Sequence, residues 1–298
     1  MTRAATQATA RGLYRSFLFV PADNERLLAS ATGKPADVVI LDLEDGTHPA
    51  RKALARDRLA ASIAAVKAAG QAAAVRINGD LDTAVTDLRA AVRPGLDVVL
   101  LPKVEHPRDV QLLSGLVGAL EAAAGMPPGG VRFVLQVESC VALPRLHEIA
   151  AADPRTLGMM LGSEDFSLDC GGHPTPEALY GPSLMLLHAA RAAGIQPIGF
   201  IASIADLGEV EAFTRVLEQA RSLGFRGAVV VHPKFLEAVN ACYTPTDAQV
   251  ADARALVAAF EDGYAQGQGA IKFEGRMIDK PVYLRALGLL REAGLASR

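Results

Sequence analysis

The sequence predicts an α/β protein of the (β/α)8 TIM barrel class, and three observations carry that prediction. Eight apolar runs recur up to residue 233, helical stretches alternate with them, and charged residues gather just past the carboxyl ends of the runs.

The runs are SFLFV (16–20), DVVILDL (37–43), AAAVRI (72–77), DVVLLP (97–102), RFVLQVE (132–138), TLGMMLG (156–162), QPIGFI (196–201) and GAVVVHP (227–233). They are apolar continuously rather than alternately. That is the pattern of strands buried on both faces, which parallel sheets achieve by covering themselves with crossover helices. Helices are read at 24–31, 50–69, 107–124, 141–152, 177–193 and 207–223. A doubly wound open sheet is the rival, but it usually carries a glycine-rich phosphate turn after its first strand, where this chain has VPADNE (20–25). GGHPTPEALYGPS (171–183) reads as a loop after the sixth strand, either closing over a substrate or turning into the next helix.

Composition narrows the function classes. Of 298 residues half are hydrophobic and 21% charged, which excludes disorder for the bulk of the chain. The net charge of −3 is spread without a basic stripe, so nucleic acid is not an expected partner. Three cysteines without a Cys-x-x-Cys spacing argue against a disulfide framework or a thiolate zinc site and fit a reducing cytoplasm. No apolar stretch approaches the roughly 20 residues that span a bilayer, so no membrane role is expected. Residues 1–14 read as a flexible N-terminal arm; being basic and free of acids, the arm also fits a mitochondrial presequence. The chain lacks a Walker lysine, a dinucleotide fingerprint and a nucleophilic-serine motif.

In a TIM barrel the chemistry sits at the carboxyl ends of the strands. There the second run ends in Asp42, Glu44 and Asp45, the third in Arg76 and Asn78, and the fourth in Lys103 and Glu105; the fifth, sixth and eighth end in Glu138, in Glu164 and Asp165, and in His232. Glu138 and Asp165 follow separate strands at one level, and two hard oxygen ligands suit Mg2+. Helix capping, or pairing with Arg76 or Lys103, explains them equally well. Arg76 is the natural partner for an anion or oxyanion, with a salt bridge to Asp42 or Glu44 as the alternative. Lys103 among carboxylates is expected to stay protonated in an ion pair rather than form a Schiff base. His232 reads as a buried, satisfied histidine, and His48, His106, His147, His173 and His188 as surface or cap residues.

Eight segments in order, RSFLFVPADN (15–24), VVILDLEDG (38–46), AVRIN (74–78), LLPKVEHP (100–107), QVES (136–139), LGSEDF (161–166), VVHPKFL (230–236) and RMIDKP (276–281), resemble the citrate lyase β-subunit family of the HpcH/HpaI aldolase superfamily. The resemblance implies a Mg2+-dependent barrel enzyme that makes or breaks a carbon–carbon bond in a 3-hydroxyacyl thioester such as malyl-CoA or citramalyl-CoA. By position, Glu138 and Asp165 look like the metal ligands, and Arg76 like the residue that binds the carbonyl or enolate oxygen. Asp42, Glu44 and Asp45 match the acidic motif near the metal waters, so Asp42 and Glu44 are candidate catalytic residues; Lys103, beside them, is a candidate for substrate binding together with Arg76. Residues 15–262 would form the catalytic barrel and 263–298 a C-terminal arm covering a neighbouring subunit's pocket. Asp279 on that arm would be the acid or base, in a homo-oligomer, trimeric or hexameric.

Four positions depart from the family pattern: Gly46-Thr47 where Ser-Val is usual, Ala228 where a lysine is frequent, and Gly199 where an acid is frequent. They bear on the thioester-binding part, and hence on the choice among citryl, malyl and citramalyl thioesters; a malyl-CoA-type thioesterase, a citryl-carrier-protein lyase subunit and a class II pyruvate-type aldolase stand as alternatives to the hydroxyacyl-CoA lyase.

Overall fold

The computed structural model describes residues 13–295. The expected flexible arm therefore lies, up to residue 12, outside the described residues. Its last residue is fastened: the Tyr14 amide donates to Gln196 Oε1 at 3.2 Å and the ring packs edge-on against Phe17.

The chain folds in the order β1 (Ser16–Pro21), α1 (Glu25–Ala31), β2 (Val38–Asp42), α2 (Lys52–Ala68), β3 (Ala72–Arg76), α3 (Leu81–Ala91), β4 (Leu96–Leu101), α4 (Pro107–Ala123), β5 (Arg132–Val137) and α5 (Leu146–Ala150). It continues through β6 (Thr156–Leu161), α6 (Ser163–Asp169), α7 (Pro176–Ala192), β7 (Gln196–Pro197), α8 (Val210–Leu223), β8 (Ala228–Val230) and α9 (Leu236–Cys242). Beyond these lie α10 (Asp247–Ala265), a hairpin of β9 (Ile271–Phe273) and β10 (Arg276–Ile278), and α11 (Lys280–Glu292).

The eight principal strands form one parallel sheet in the order β7-β6-β5-β4-β3-β2-β1-β8. The remaining seam, between β7 and β8, is crossed by backbone bonds from Gly199 N to Gly227 O and from Arg226 N to Pro197 O, each 2.9 Å. Gln196 Nε2 reinforces the seam by donating to the carbonyls of Tyr14 and Arg226. The curled sheet thus has the architecture of the expected (β/α)8 barrel.

Period-two alternation sorts each strand between two cores. Phe17, Val38, Ile40, Ala72, Ala74, Val98, Leu100, Val134 and Met160 fill the barrel interior. Val39, Leu41, Val75, Val99, Leu135 and Met159 face the surrounding helices. Helix starts follow ordinary capping chemistry. Asp80 caps α3, Thr175 caps α7, and His106 caps α4 in a reciprocal box with Asp109. Among the described residues no helix is long and apolar enough to cross a membrane.

Several boundaries differ from the sequence expectation. The seventh strand ends at Pro197 instead of residue 201, because Gly199 turns the chain at φ +137°. The eighth covers only Ala228–Val230. Over 141–152 a 3-10 turn (Cys140–Arg145), which contains Pro144, precedes the short α5. The loop expected at 171–183 stops at Thr175, because Pro176 sits at the start of α7, where its missing N–H costs nothing. Helices α3 and α6 add to the pattern, and α10 runs through residue 263, the expected start of the arm.

Candidate active site

A cavity of about 530 Å³ opens at the carboxyl end of the barrel. The strand alternation that fills the interior delivers its polar residues. Val38 and Ile40 point inward, so Asp42 does; Ala72 and Ala74 are followed by Arg76, and Val134 by Gln136 and Glu138. Asp42, Arg76, Gln136, Asp45, Glu164 and Asp165 all line the cavity.

Arg76 is its electrostatic centre. It donates from Nε to Asp42 Oδ1 and from Nη2 to Asp42 Oδ2, both at 2.7 Å, while Nη1 lies 3.0 Å from Glu44 Oε2. The guanidinium stands over the Phe19 ring, 4.7 Å from its centroid. Burial works against the Arg76 charge, but the Asp42 bonds and the fields of Glu44 and Glu138 outweigh it, and its pKa rises. Asp42 is itself held by the amides of Glu44 (2.9 Å) and Gly46 (2.8 Å). Gly46, the first of the departures, makes that approach possible, since a Cβ there would meet Asp42 Oδ2.

Glu44 Oε1 accepts a 2.8 Å bond from Lys103 Nζ. Burial raises the Glu44 pKa and Asp45 adds to the rise, against Arg76 and Lys103. Lys103, nearly half exposed, loses less to desolvation, and Glu44 raises its pKa. With two cations against it, Glu44 is the carboxylate of the pair and Lys103 the ammonium. Lys103 adopts a left-handed backbone at φ +52°, a strained conformation that carries its amide onto Glu138 Oε2 at 2.7 Å.

Glu138 is buried, and Gln136 Nε2 donates to its Oε1 at 2.6 Å. Burial, then Glu44 and Asp165, push its carboxyl up to about 7. A cation among these three acids would relieve that repulsion. Nearby, buried Gln136 Oε1 has no hydrogen-bond donor, and Glu44 Oε2 has only its ion pair with Arg76 Nη1. Among the described residues no three His, Cys, Asp or Glu side chains form a ready-made cage. Asp165 on the cavity wall and the buried Glu138, with the unpartnered Gln136 Oε1 beside Glu138, fit Mg2+, which keeps most of its shell for water and substrate oxygens. Gly162 protects this arrangement: a Cβ there would stand 2.5 Å from Glu138 Cγ and 2.7 Å from Oε1.

Other rim residues lie elsewhere. Asn78 turns into a buried network, donating to Asp87 Oδ2 (2.6 Å) and Leu43 O and accepting from Lys52 Nζ. Glu105 is exposed outside the cavity. His232, expected to be buried, is exposed and caps a 3-10 turn by accepting from the Lys234 amide. His48 and His106 cap as expected. Asp279 caps α11 and is absent from the lining of its own chain's cavity. Gln136, Phe19 and Gly162 escaped the reading by charge; the parity of their strands is the signal that finds Gln136 and Phe19.

The HpcH/HpaI aldolase/citrate lyase family matches residues 15–233. The chain belongs to that family. The citrate lyase subunit beta of Leuconostoc mesenteroides subsp. cremoris is 35% identical over 286 residues, covering 94% of this chain and 93% of the relative. The L-malyl-CoA/beta-methylmalyl-CoA lyase of Cereibacter sphaeroides (strain ATCC 17025 / ATH 2.4.3) is 33% identical over 307 residues, covering 95% of each. The crystal structure of Mycobacterium tuberculosis CitE in complex with magnesium, acetoacetate and coenzyme A superposes with a TM-score of 0.71 at 31% identity, over 94% of this chain and 97% of that one. As a member of this family the chain is a carbon–carbon lyase.

Proposed function

We propose that the protein is a Mg2+-dependent lyase that cleaves, or in reverse forms, the bond between the hydroxyl-bearing carbon and the α-carbon of a 3-hydroxyacyl-CoA. The observation that carries this reading is Arg76, Asp42 and Asp165 on the wall of one cavity, with buried Glu44 ion-paired to Arg76 and buried Glu138 in the field of Asp165, a guanidinium beside acids suited to a cation. Support for coenzyme A comes from the relatives whose names include a CoA thioester or coenzyme A itself.

Cleavage turns the hydroxyl into the carbonyl of an oxoacid and leaves the bonding pair on the thioester as an enolate. Held by Glu138 and Asp165, Mg2+ would supply polarisation of the substrate's hydroxyl and carboxylate. Arg76 does the complementary work. A guanidinium carries five N–H donors, of which Asp42 takes two and Glu44 faces a third, so two remain for an oxyanion. Asp42 fixes the plane of the fork. Lys103 holds Glu44 through its side chain and Glu138 through its amide, so it positions both carboxylates. The enolate carbon then needs a proton. Asp279 does not line its own cavity, so we assign it to the pocket of a neighbouring copy, reached by the arm of α10, the hairpin and α11 in a homo-oligomer.

The test is incubation of purified protein and Mg2+ with malyl-CoA and citramalyl-CoA, following oxoacid, acyl-CoA and free thiol by mass spectrometry. Chelator-sensitive release of oxoacid together with acyl-CoA is expected. Free CoA with intact malate would overturn the lyase reading.

A further inference from the structure

Cys140 and Cys170 are thirty residues apart in sequence, yet their Sγ atoms lie 3.0 Å from each other. A disulfide bond is about 2.05 Å long, so closure asks for an approach of about 1 Å. The backbones are already fastened there, because the Cys140 amide donates to Asp169 Oδ2 at 2.7 Å. Both thiols are exposed, whereas Cys242, the last residue of α9, is half-buried. Neither sulfur has a role in the reaction proposed above.

We propose that Cys140 and Cys170 form a reversible disulfide by exchange with a low-molecular-weight disulfide. One protein sulfur attacks the reagent, its S–S bond breaks, and the first small thiol leaves with the protein's proton. The second protein sulfur attacks the resulting mixed disulfide and releases the other small thiol. The protein loses two hydrogens and the reagent gains them. Cys140 stands two residues past Glu138 and Cys170 five past Asp165, so the bond would clasp the segments that present these two carboxylates. Closing a loop of this length restricts the unfolded chain and stabilises the fold.

The experiment equilibrates the full chain with oxidised glutathione and reads thiol titration, intact mass, peptide mapping and melting temperature. Expected are loss of two of the three thiols, a mass lower by two hydrogens, and one cross-linked species joining the peptides of Cys140 and Cys170. The melting temperature should rise by several degrees, reverse with dithiothreitol, and stay unchanged in Cys140→Ser. A stable glutathione adduct without closure, a chain-to-chain link, a bond to Cys242, or three unreacted thiols would each overturn the proposal. Peptide mapping of the unmodified sequence gives this answer even if the serine variant folds poorly, and no outcome depends on the lyase reading.

Discussion

Asp42 and Arg76 are register partners on adjacent strands and are also joined by a two-bond ion pair. The ladder that pairs β2 with β3 thus aligns the carboxylate with the guanidinium, and the backbone presets the fork. Lysine cannot reproduce two parallel bonds. Arg76→Lys should lower kcat by about 10²–10³-fold, in the range of a lost oxyanion donor, with KM and far-UV circular dichroism little changed. Asp42→Ala should be worse for the fold. It leaves a buried arginine facing Glu44 alone, and unfolding in urea should show a loss of about 3–5 kcal/mol.

The Glu138 carboxyl, raised to about 7, makes the metal-free protein and Mg2+ binding pH-dependent. A carboxyl raised on folding holds its proton more tightly in the native state than in the unfolded one. Stability of the metal-free protein should therefore fall as pH rises from about 4.3, the unfolded value, through 7, and then level off. Glu138→Gln removes that slope. Mg2+ binding runs the opposite way: calorimetry should show proton release below pH 7 and affinity that rises up to about that pH. A flat affinity between pH 6 and 8 would contradict the placement of the metal on this residue.

Much of this was readable from the chain. Continuous apolar runs give the strands because a parallel barrel buries both faces, and the charged residues just beyond them mark the end where the cavity opens. Boundaries were harder where backbone rather than hydrophobicity decides them. Gly199 shortens β7 although PIGFI remains apolar, and Pro144 breaks the helix expected over 141–152. Asn78 and His232 misled in different ways. Both follow strands at the right level, but Asp87, buried on α3, draws Asn78 away, and His232 is spent on its cap. The salt bridge read as the alternative for Arg76 is present, and it leaves the guanidinium on the cavity wall.

Gly162 should tolerate no side chain. Alanine at this position would press on Glu138 Cγ and Oε1 and also approach Gln136 Nε2, within 2.9 Å. The strand cannot retreat, because the Gly162 amide donates to Val137 O at 2.9 Å. Gly162→Ala should cost about 1–3 kcal/mol of stability and weaken Mg2+ binding by roughly tenfold, seen by calorimetry.

Lys103 should form no covalent adduct with an oxoacid. Desolvation favours loss of its proton, but the bond to Glu44 and the fields of Glu44, Asp45 and Glu138 overcome it and raise its pKa. Borohydride added with pyruvate or glyoxylate should leave the intact mass unchanged. Lys103→Ala should still lower kcat by about tenfold, because Glu44 loses its second cation. A reduced adduct mapped to Lys103 would reassign the chemistry.

Glu121 and Arg155 give a stability test remote from the cavity. Glu121 is fully buried and receives Arg155 at 2.6 and 2.8 Å, with the amides of Val131 and Gly129 on the same carboxylate. Burial alone would raise the carboxyl; the Arg155 bonds and the two amides reverse this and lower it. A carboxyl lowered on folding stabilises the native state above its unfolded value of about 4.3, and this contribution disappears as pH falls through the lower folded value. Glu121→Ala should therefore destabilise by about 3–5 kcal/mol at pH 7, since Arg155 is left without its partner. Much of that difference from the parent should disappear in acid, whereas steady-state turnover at pH 7 and moderate temperature should remain. A variant that loses activity while keeping its stability would show that this pair is coupled to the barrel mouth.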